Sequence, residues 1–497
     1  MNRIASRGPE SHRSFDSAAP ESRAILCHSR ESGNPRARSD HPRSPFPRRF
    51  FRQLAIALLL ASAASFASAA RPLPKKRNTP ILIAGITLID GTGAAAAPDT
   101  SILVRDGRIA EIFHGSRLRA LPPHTVVMAG AGKWMVPGFV DAHVHVESSD
   151  DTKAMIRWGV TSVRLMAEGV REAEAAARHS RTIRRTPELF PAAPIFTTPG
   201  GWWATLPADP DLDRIPSNPE IARTAVRRAK ELGSSEIKIM NDDMGWCRDP
   251  QPKLAKIPAP IRSALVAEAR RMGLRVAVHA PRLADAADAV EDGATVLAHG
   301  IIDAPVGDEL AGRMHEKRVF FVPTMDIFDF LADPRAFMGR ALSDPRIRES
   351  LSKKTLERYR SDAYFRTYAE RYPNAAFVAS QLPVLRGNVK KLKDAGVEVA
   401  LGTDMWAFPG AGVHLELEDF VTAGFSPLEA IRAATLVSAR SLGADGDRGT
   451  IETGKRADFV VLENDPLRDI RNTRSIERVF KGGKVAWSRY KADVVEE

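Results

Sequence analysis

The stretch Val136-Pro-Gly-Phe-Val-Asp-Ala-His-Val-His-Val-Glu147 is the segment on which the prediction of the fold depends. Its apolar residues predict a buried strand, because strands covered on both faces are nearly continuous apolar runs. His143 and His145 are two residues apart, so a strand places both imidazoles on the same face. Two neutral imidazoles on one rigid strand end supply half of a metal site. From this stretch alone, the signal for a metal site is weak, and two histidines in a half-exposed strand are the alternative interpretation.

The composition is that of a globular protein. The chain has 497 residues, 43% of them hydrophobic and 27% charged, and a net charge of +11. About half of that excess lies in residues 1–69, which hold eleven arginines against five acidic residues. The rest is only mildly basic, so no nucleic-acid footprint is expected. The cysteines are Cys27 and Cys247, too few for a disulfide framework or a cysteine-rich metal site.

The N-terminal region has the pattern of an export signal. Residues 1–47 are rich in Arg, Ser and Pro and predict a disordered leader, with a misassigned start codon as the alternative. Residues 48–69 predict a signal peptide, because a basic segment precedes 13 apolar residues (54–66) and a small-x-small cleavage site. A membrane span needs about 20 apolar residues, so no stable membrane anchor is expected. The sequence therefore predicts a periplasmic or secreted protein.

The rest of the chain predicts an α/β protein with a second, discontinuous β domain. Short β-branched runs occur at 79–137 and again at 446–490, and neither set is large enough to stand alone, so we expect one composite β-sandwich. Between them, at 138–445, strands and helices alternate, and this predicts a (β/α)8 TIM-type barrel with catalytic groups at the C-terminal ends of its strands. Residues 326–385 read as a helical insertion that forms a lid or an interface. The eight strand candidates are 139–146, 161–166, 189–196, 236–240, 275–279, 295–298, 319–323 and 397–402, and the clearest helices are 218–232, 260–272, 283–292 and 426–442.

Ligand-type side chains follow five of these apolar runs. Because the C-terminal ends of parallel strands meet at one edge, we expect the side chains to lie close together. A single such histidine would be read as a core residue, but five strands ending in this way predict a metal site. The side chains are His143, His145, Lys238, His279, His299 and Asp404.

The motifs around these residues resemble the amidohydrolase superfamily of metal-dependent hydrolases, and within it the imidazolonepropionase-related and Xaa-Pro dipeptidase-like branch. The resemblance extends over residues 80–490 and implies a barrel with a composite β-sandwich. The matching stretches are Val136-Pro-Gly-Phe-Val-Asp-Ala-His-Val-His145, Gly159-Val-Thr-Ser-Val-Arg164, Ile237-Lys-Ile-Met240, Val278-His-Ala280, Leu297-Ala-His-Gly300, Leu401-Gly-Thr-Asp404 and Gly449-Thr-Ile-Glu-Thr-Gly-Lys-Arg-Ala-Asp-Phe-Val-Val-Leu462.

The resemblance also implies roles for the ligand-type residues. His143, His145 and Asp404 would hold one divalent ion, and the histidines of strands five and six, His279 and His299, a second. Lys238 would be carboxylated by CO2 and bridge both ions; a lysine paired with another charge beside a single ion is the alternative. Zinc suits these ligands, although Mn, Co and Fe fit them too.

The implied reaction is the cleavage of an amide C–N bond by a metal-bridging hydroxide. Asp404 would move a proton from the water to the leaving nitrogen. The expected substrate is a small molecule such as a dipeptide or an N-acyl amino acid, and the sequence allows a homo-oligomer.

Several residues depart from the superfamily pattern and are candidate substrate contacts. Trp202 and Trp203 could stack on a ring, Asp242 could meet a cationic group, and Arg282 could hold a carboxylate. His414 could face the substrate or cap a helix. For Trp202, Trp203, Asp242 and Arg282, a solvated loop residue is the alternative.

Two other functional classes stay open from the sequence. One is a mononuclear cyclic-amide hydrolase or deaminase of the imidazolonepropionase type, in which the lysine is not carboxylated. The other is a non-catalytic barrel that serves as a binding module, which the complete set of ligand-type residues argues against.

Overall fold

A computed structural model describes residues 79–115, 121–167, 169–205 and 210–490. The predicted leader and signal peptide lie outside the described residues. Within these ranges the strands are β1 (Ile81–Leu88), β2 (Ala97–Arg105), β3 (Arg108–His114), β4 (Val126–Ala129), β5 (Trp134–Pro137), β6 (Phe139–Val144), β7 (Val160–Met166), β8 (Glu188–Ala192), β9 (Ile195–Phe196), β10 (Glu236–Met240), β11 (Arg275–His279), β12 (Val296–Ala298), β13 (Phe320–Val322), β14 (Phe459–Leu462), β15 (Ile476–Lys481) and β16 (Lys484–Ser488).

Helices connect most of these strands. The π-helical turn Ala433–Val437 joins the helices Pro427–Arg432 and Ser438–Ser441, so the helix predicted at 426–442 is a single continuous run with one wider turn. Among the described residues, none of the helices combines the length and the apolar character needed to cross a membrane. The helices are α1 (Ser149–Arg157), α2 (Val170–Ser180), α3 (Pro219–Glu231), α4 (Gly245–Arg248), α5 (Ala259–Arg271), α6 (Leu283–Asp292), α7 (Asp308–Glu316), α8 (Met325–Ala332), α9 (Pro334–Ser343), α10 (Pro345–Ser350), α11 (Lys353–Arg360), α12 (Asp362–Arg371), α13 (Ala375–Asp394), α14 (Gly412–Thr422), α15 (Pro427–Arg432) and α16 (Ser438–Ser441).

Strands from both ends of the described chain share one sheet. Its order is β16-β15-β14-β5-β1-β2-β3, with β4 paired to β1. The C-terminal strand β14 runs antiparallel to β5, the strand that leads into the histidine stretch. Apolar side chains of both segments pack in one buried cluster that includes Ile86, Ile102, Met135, Phe459 and Phe480. This packing fixes the start of β6 against β14 and β15.

The middle of the chain forms two parallel sheets. One has the order β6-β7-β8 and the other β13-β12-β11-β10-β9. The strand predicted at 189–196 is divided into β8 and β9 around Pro194, which lacks the N–H needed to continue the ladder. The predicted strand 397–402 is not regular: it makes a single parallel bridge, between Phe321 and Val399.

This irregular segment nevertheless contacts strands of both parallel sheets. On one side, the Ala400 N–H donates to the Phe321 carbonyl at 2.8 Å. On the other, the Ala142 N–H of β6 donates to the Leu401 carbonyl at 2.8 Å. Segment 397–402 therefore lies between β13 and β6 and brings their C-terminal ends together.

Residues between β13 and segment 397–402 form helices α8 to α13, as predicted for the insertion. The insertion packs through aromatic rings, with the Phe330 centroid 4.7 Å from that of Tyr368. Tyr368 also stacks on Trp406, at 5.6 Å and 12°, just beyond segment 397–402. The insertion is thus part of the wall next to the C-terminal strand ends.

Gly402 is where segment 397–402 approaches its neighbours most closely. A β-carbon at this position would lie 2.9 Å from the backbone nitrogen of His143 and 2.5 Å from Cγ1 of Val322. The backbone atom belongs to a buried strand and cannot move aside without displacing His143. Only glycine therefore fits between β6 and β13 here.

We expect Gly402→Ala to lower the free energy of unfolding by about 1–3 kcal/mol, the usual cost of overpacking a core. Gly387→Ala is the matched control, because Gly387 lies in α13 with nothing within 4 Å of an added β-carbon. That change should be neutral or stabilising by up to about 1 kcal/mol. Thermal and urea unfolding of both variants measure the difference, and equal stabilities would contradict the close packing at Gly402.

Candidate metal centre

Three of the predicted ligands meet at the C-terminal ends of the strands. Nε2 of His143 lies 3.6 Å and Nε2 of His145 lies 3.4 Å from Oδ1 of Asp404. One ligand atom from each residue falls within 4.8 Å of the other two. Asp404 has φ of 51°, and its N–H donates to the His143 carbonyl at 2.8 Å. The backbone therefore holds the carboxylate beside both imidazoles.

The other two histidines continue this cluster. The ring centroid of His299 lies 4.6 Å from that of His143 and 4.4 Å from that of His279. Nδ1 of His299 is 3.9 Å from Oδ2 of Asp404.

Lys238 is buried, and within the described part of the chain its Nζ has no hydrogen-bond partner. The Lys238 ammonium lies close enough to Asp404 for each group to affect the pKa of the other.

Two neighbouring residues orient the imidazoles of His279 and His299. Oδ2 of Asp242 lies 3.2 Å from Nε2 of His279. Oγ1 of Thr324 lies 2.9 Å from Nδ1 of His299. Each contact uses one ring nitrogen and leaves the other as the candidate metal ligand, an arrangement typical of metal-binding histidines.

A third orienting group is the buried carboxyl of Asp141. It accepts hydrogen bonds from the backbone N–H groups of His143 and Thr403, at 3.1 and 3.0 Å, and from the Thr403 hydroxyl at 2.7 Å. Asp141 thus ties β6 to the turn before Asp404. Neither Asp141 nor Thr324 was predicted as a site residue. Asp141 could have been recognised, because it is an acidic residue inside the apolar stretch Phe139–Val144. Nothing in the sequence marks Thr324 as part of the site.

Burial controls the charge of the site. It is the largest cause that lowers the pKa of His145 to about 3, and the neighbouring Lys238 lowers it further. Burial also lowers the pKa of His143 and His299 well below their usual value, and lowers that of His279. The imidazoles are therefore neutral at pH 7, which is the protonation state that binds metal ions.

Lys238 and Asp404 form a buried pair with opposite tendencies. Burial lowers the pKa of Lys238 to about 7, even though the charge of Asp404 acts to raise it. Burial raises the pKa of Asp404 to about 7, even though Lys238 acts to lower it. Burial therefore favours the uncharged form of both side chains, and the attraction between their charges opposes it.

Two of the proposed substrate contacts lie beside the cluster. The Trp203 ring centroid is 4.8 Å from that of His145, and Trp203 has φ of 67°. Arg282 is partly exposed and pairs with Asp243 at 3.2 Å and with Asp303 at 3.4 Å. The acidic residue that meets a cation here is therefore Asp243, and its partner is Arg282 of the same chain.

Three other predicted contacts occupy different places. Asp242 is buried, and its carboxylate accepts hydrogen bonds from His279 and from Trp246 Nε1, so it orients a histidine instead of meeting a cationic substrate. Trp202 is buried, with 8% of the residue exposed. His414 is fully buried, and its ring nitrogens contact Thr473 Oγ1 and the Trp158 carbonyl at 2.9 and 3.0 Å. His414 is therefore a core residue, and the prediction that it faces the substrate is wrong.

The chemistry of the side chains fits divalent metal ions. Neutral imidazoles and a carboxylate converge on one region, and they are the donors that zinc and related ions prefer. The buried Lys238 Nζ has no hydrogen-bond partner among the described residues. A bare ammonium in this position is costly, whereas an anionic derivative facing metal ions would be stabilised.

Comparison with known sequences identifies relatives. The sequence model of the Amidohydrolase family matches residues 134–486. Ochratoxinase of Aspergillus niger is 30% identical over 291 residues, which cover 57% of this chain and 52% of that protein. Imidazolonepropionase of Streptomyces griseus is 25% identical over 395 residues, covering 76% of this chain and 89% of that protein. The chain thus aligns with only about half the length of ochratoxinase.

Solved structures show the same fold. A Xaa-Pro dipeptidase with bound methionine matches 82% of this chain and 100% of its own, with a TM-score of 0.65 and 21% identity. The Aspergillus niger ochratoxinase structure matches 83% of this chain and 98% of its own, with a TM-score of 0.64 and 21% identity. These neighbours imply a TIM-barrel-type α/β fold. The predicted resemblance is confirmed, and the chain belongs to the amidohydrolase family, whose members are hydrolases.

Proposed function

We propose that this protein is an exported, metal-dependent hydrolase that cleaves the amide C–N bond of peptide-like or N-acyl amino acid substrates. The observation that carries the proposal is the convergence of four neutral histidines, Asp404 and the buried Lys238 on one region. The proposed architecture is a closed (β/α)8 barrel at 138–445, with a composite β-sandwich at 79–137 and 446–490. The shared eight-stranded sheet and the contacts of segment 397–402 support it.

Two divalent ions, zinc being the best match, would be held by the clustered side chains. His143, His145 and Asp404 would hold one ion, and His279 and His299 the other. When bound, such ions lower the pKa of a water nucleophile and polarise the scissile carbonyl. The orienting contacts of Asp242 and Thr324 would keep His279 and His299 ready to bind without rearrangement.

Lys238 would complete the site as a carbamate. The neutral amine attacks the carbon of dissolved CO2 and releases one proton, so that an ammonium that repels metal ions becomes an anionic ligand. Its lowered pKa, about 7, makes the neutral amine available near neutral pH. The carbamate oxygens would reach both ions, as the superfamily resemblance implies.

Asp404 would be the acid–base group. Its carboxylate would accept a proton from the attacking water and donate it to the leaving nitrogen. The backbone contact of Asp404 with His143 holds the carboxylate at the ligand cluster. Its raised pKa, about 7, suits a group that must both accept and donate a proton at neutral pH.

The walls of the site favour a substrate with a planar group and a carboxylate. Trp203 beside His145 offers an indole face, and the half-buried Trp406, stacked on Tyr368, adds a second aromatic side chain beyond Asp404. Arg282, partly exposed between two acidic residues, is the candidate carboxylate contact. Relatives named ochratoxinase and Xaa-Pro dipeptidase agree with amide substrates of this kind.

A mononuclear enzyme of the imidazolonepropionase type is the second candidate. The triad His143, His145 and Asp404 is the one group of ligand atoms within 4.8 Å of one another among the described residues. That triad could hold one ion without help from Lys238. The relative named imidazolonepropionase is consistent with this alternative.

Metal analysis combined with an activity screen tests the proposal. We expect protein purified with zinc and bicarbonate to contain two ions per chain and to hydrolyse members of a library of dipeptides and N-acyl amino acids. Removal of metal by a chelator should abolish the activity, and added zinc should restore it. One tightly bound ion and activity on cyclic amides only would favour the mononuclear alternative. Metal-loaded protein that hydrolyses neither class would contradict both.

Substitution of Asp404 separates metal binding from proton transfer. Asp404→Asn keeps the size and one oxygen ligand but cannot act as a base, so kcat should fall by roughly 100-fold or more. Much of the bound metal should remain, as measured by elemental analysis of the same sample. A variant that keeps both its metal and its wild-type kcat would show that another group transfers the proton.

A further inference from the structure

Helix α8 begins directly behind the candidate metal centre, at a turn of unusual backbone conformation. Thr324 precedes the helix with φ of 47° and ψ of 52°, and its side chain does not cap the helix. This left-handed conformation is unfavourable for a β-branched residue, because its β-carbon substituents crowd the backbone. Thr324 is nevertheless the residue whose hydroxyl contacts Nδ1 of His299. Some other part of the chain must therefore hold the turn in place.

Glu416 of helix α14 is the group that holds it. Its two carboxylate oxygens accept the backbone N–H groups of Met325 and Asp326, each at 2.8 Å. These are the first two N–H groups after Thr324, and they have no partner inside helix α8. A carboxylate at a helix N-terminus also interacts favourably with the helix dipole. Glu416 thus caps α8 from a different helix.

The Glu416 carboxylate is buried next to a second acidic side chain. Glu416 and Asp326 are both 0% exposed, and neither oxygen of Asp326 accepts a hydrogen bond from the described residues. Burial raises the pKa of both groups well above their usual values. The two N–H donors favour the charge on Glu416, so the proton of the pair stays on Asp326, which can donate it to Glu416.

We propose that Glu416 is a positioning residue for His299. It fixes the Thr324 turn, and the Thr324 hydroxyl in turn fixes the imidazole with Nδ1 engaged and Nε2 available to a metal ion. The inference rests on the proposed metal role of His299. It gives a function to Glu416 and Asp326, a buried acidic pair that takes no part in the proposed chemistry.

The central test is Glu416→Gln. Glutamine has nearly the same shape, but its amide NH2 would face one of the two backbone N–H groups that Glu416 accepts. The turn should then loosen, and the metal ion at His279 and His299 should bind about 10–100-fold more weakly, the usual effect of losing an orienting partner. Titration with zinc in chelator buffers measures this affinity.

Two matched variants should behave like the wild type. Asp326→Asn keeps a neutral donor toward Glu416. Glu418→Gln makes the same chemical change two residues along α14, where the side chain pairs with Arg474 instead.

Thr324→Val removes the hydroxyl while keeping the branched shape, and it should weaken zinc binding as Glu416→Gln does. If Glu416→Gln fails to fold, Thr324→Val compared with Asp326→Asn still tests the coupling of the turn to His299.

A readout without metal separates this inference from the proposed function. In metal-free protein labelled with 15N-histidine, the His299 signals should show a proton on Nδ1, and both Glu416→Gln and Thr324→Val should give a mixture of tautomers. Wild-type zinc affinity together with an unchanged His299 spectrum in Glu416→Gln would overturn the inference and leave the metal centre standing. If the wild type binds no zinc, the proposed function fails, while the spectra still decide whether Glu416 orients His299.

Discussion

The contact of segment 397–402 with its two neighbouring strands is the constraint on which the site depends. The segment joins β6 through the Ala142–Leu401 hydrogen bond and β13 through the Ala400–Phe321 hydrogen bond. Gly402 allows its backbone to approach His143 more closely than any other residue would permit. Asp404 follows two residues later, and its N–H donates to the His143 carbonyl. The distance between the carboxylate and the imidazoles is therefore set by backbone packing.

Desolvation then gives these groups their chemistry. Burial keeps the histidines neutral and brings the pKa of Lys238 and of Asp404 to about 7. A cluster of this kind stabilises the fold little by itself, because unpaired buried polar groups are costly. Bound metal ions would offset that cost, so binding and stability should be coupled. Asp141, Asp242 and Glu416 keep the cluster in place through hydrogen bonds to backbone or imidazole N–H groups.

Much of this arrangement could be predicted from the sequence, because ligands at strand ends leave a local pattern. His143, His145, His279, His299 and Asp404 each follow a short apolar run, and parallel strands bring such ends together. Lys238 was visible as the single cation inside an apolar strand. The metal ligands themselves stay a prediction, supported by the geometry of the cluster.

The parts that could not be predicted depend on tertiary contacts. His414 resembles a site residue in the sequence, yet packing against Phe139 and Trp158 makes it a core residue. Asp242 resembles a loop acid, but its partner is His279, 37 positions along the chain. Glu416 and Thr324 have no local signal at all, because their roles appear only when α14 meets the start of α8.

The most direct test of the account is whether Lys238 carries CO2. Protein loaded with zinc in 13C-labelled bicarbonate should show one carbamate carbon in its 13C NMR spectrum, and the signal should be absent in Lys238→Ala. The signal should disappear when the metal ions are removed at low pH, because the free carbamate loses CO2. A zinc-loaded, active enzyme without this signal would contradict the bridged two-metal centre.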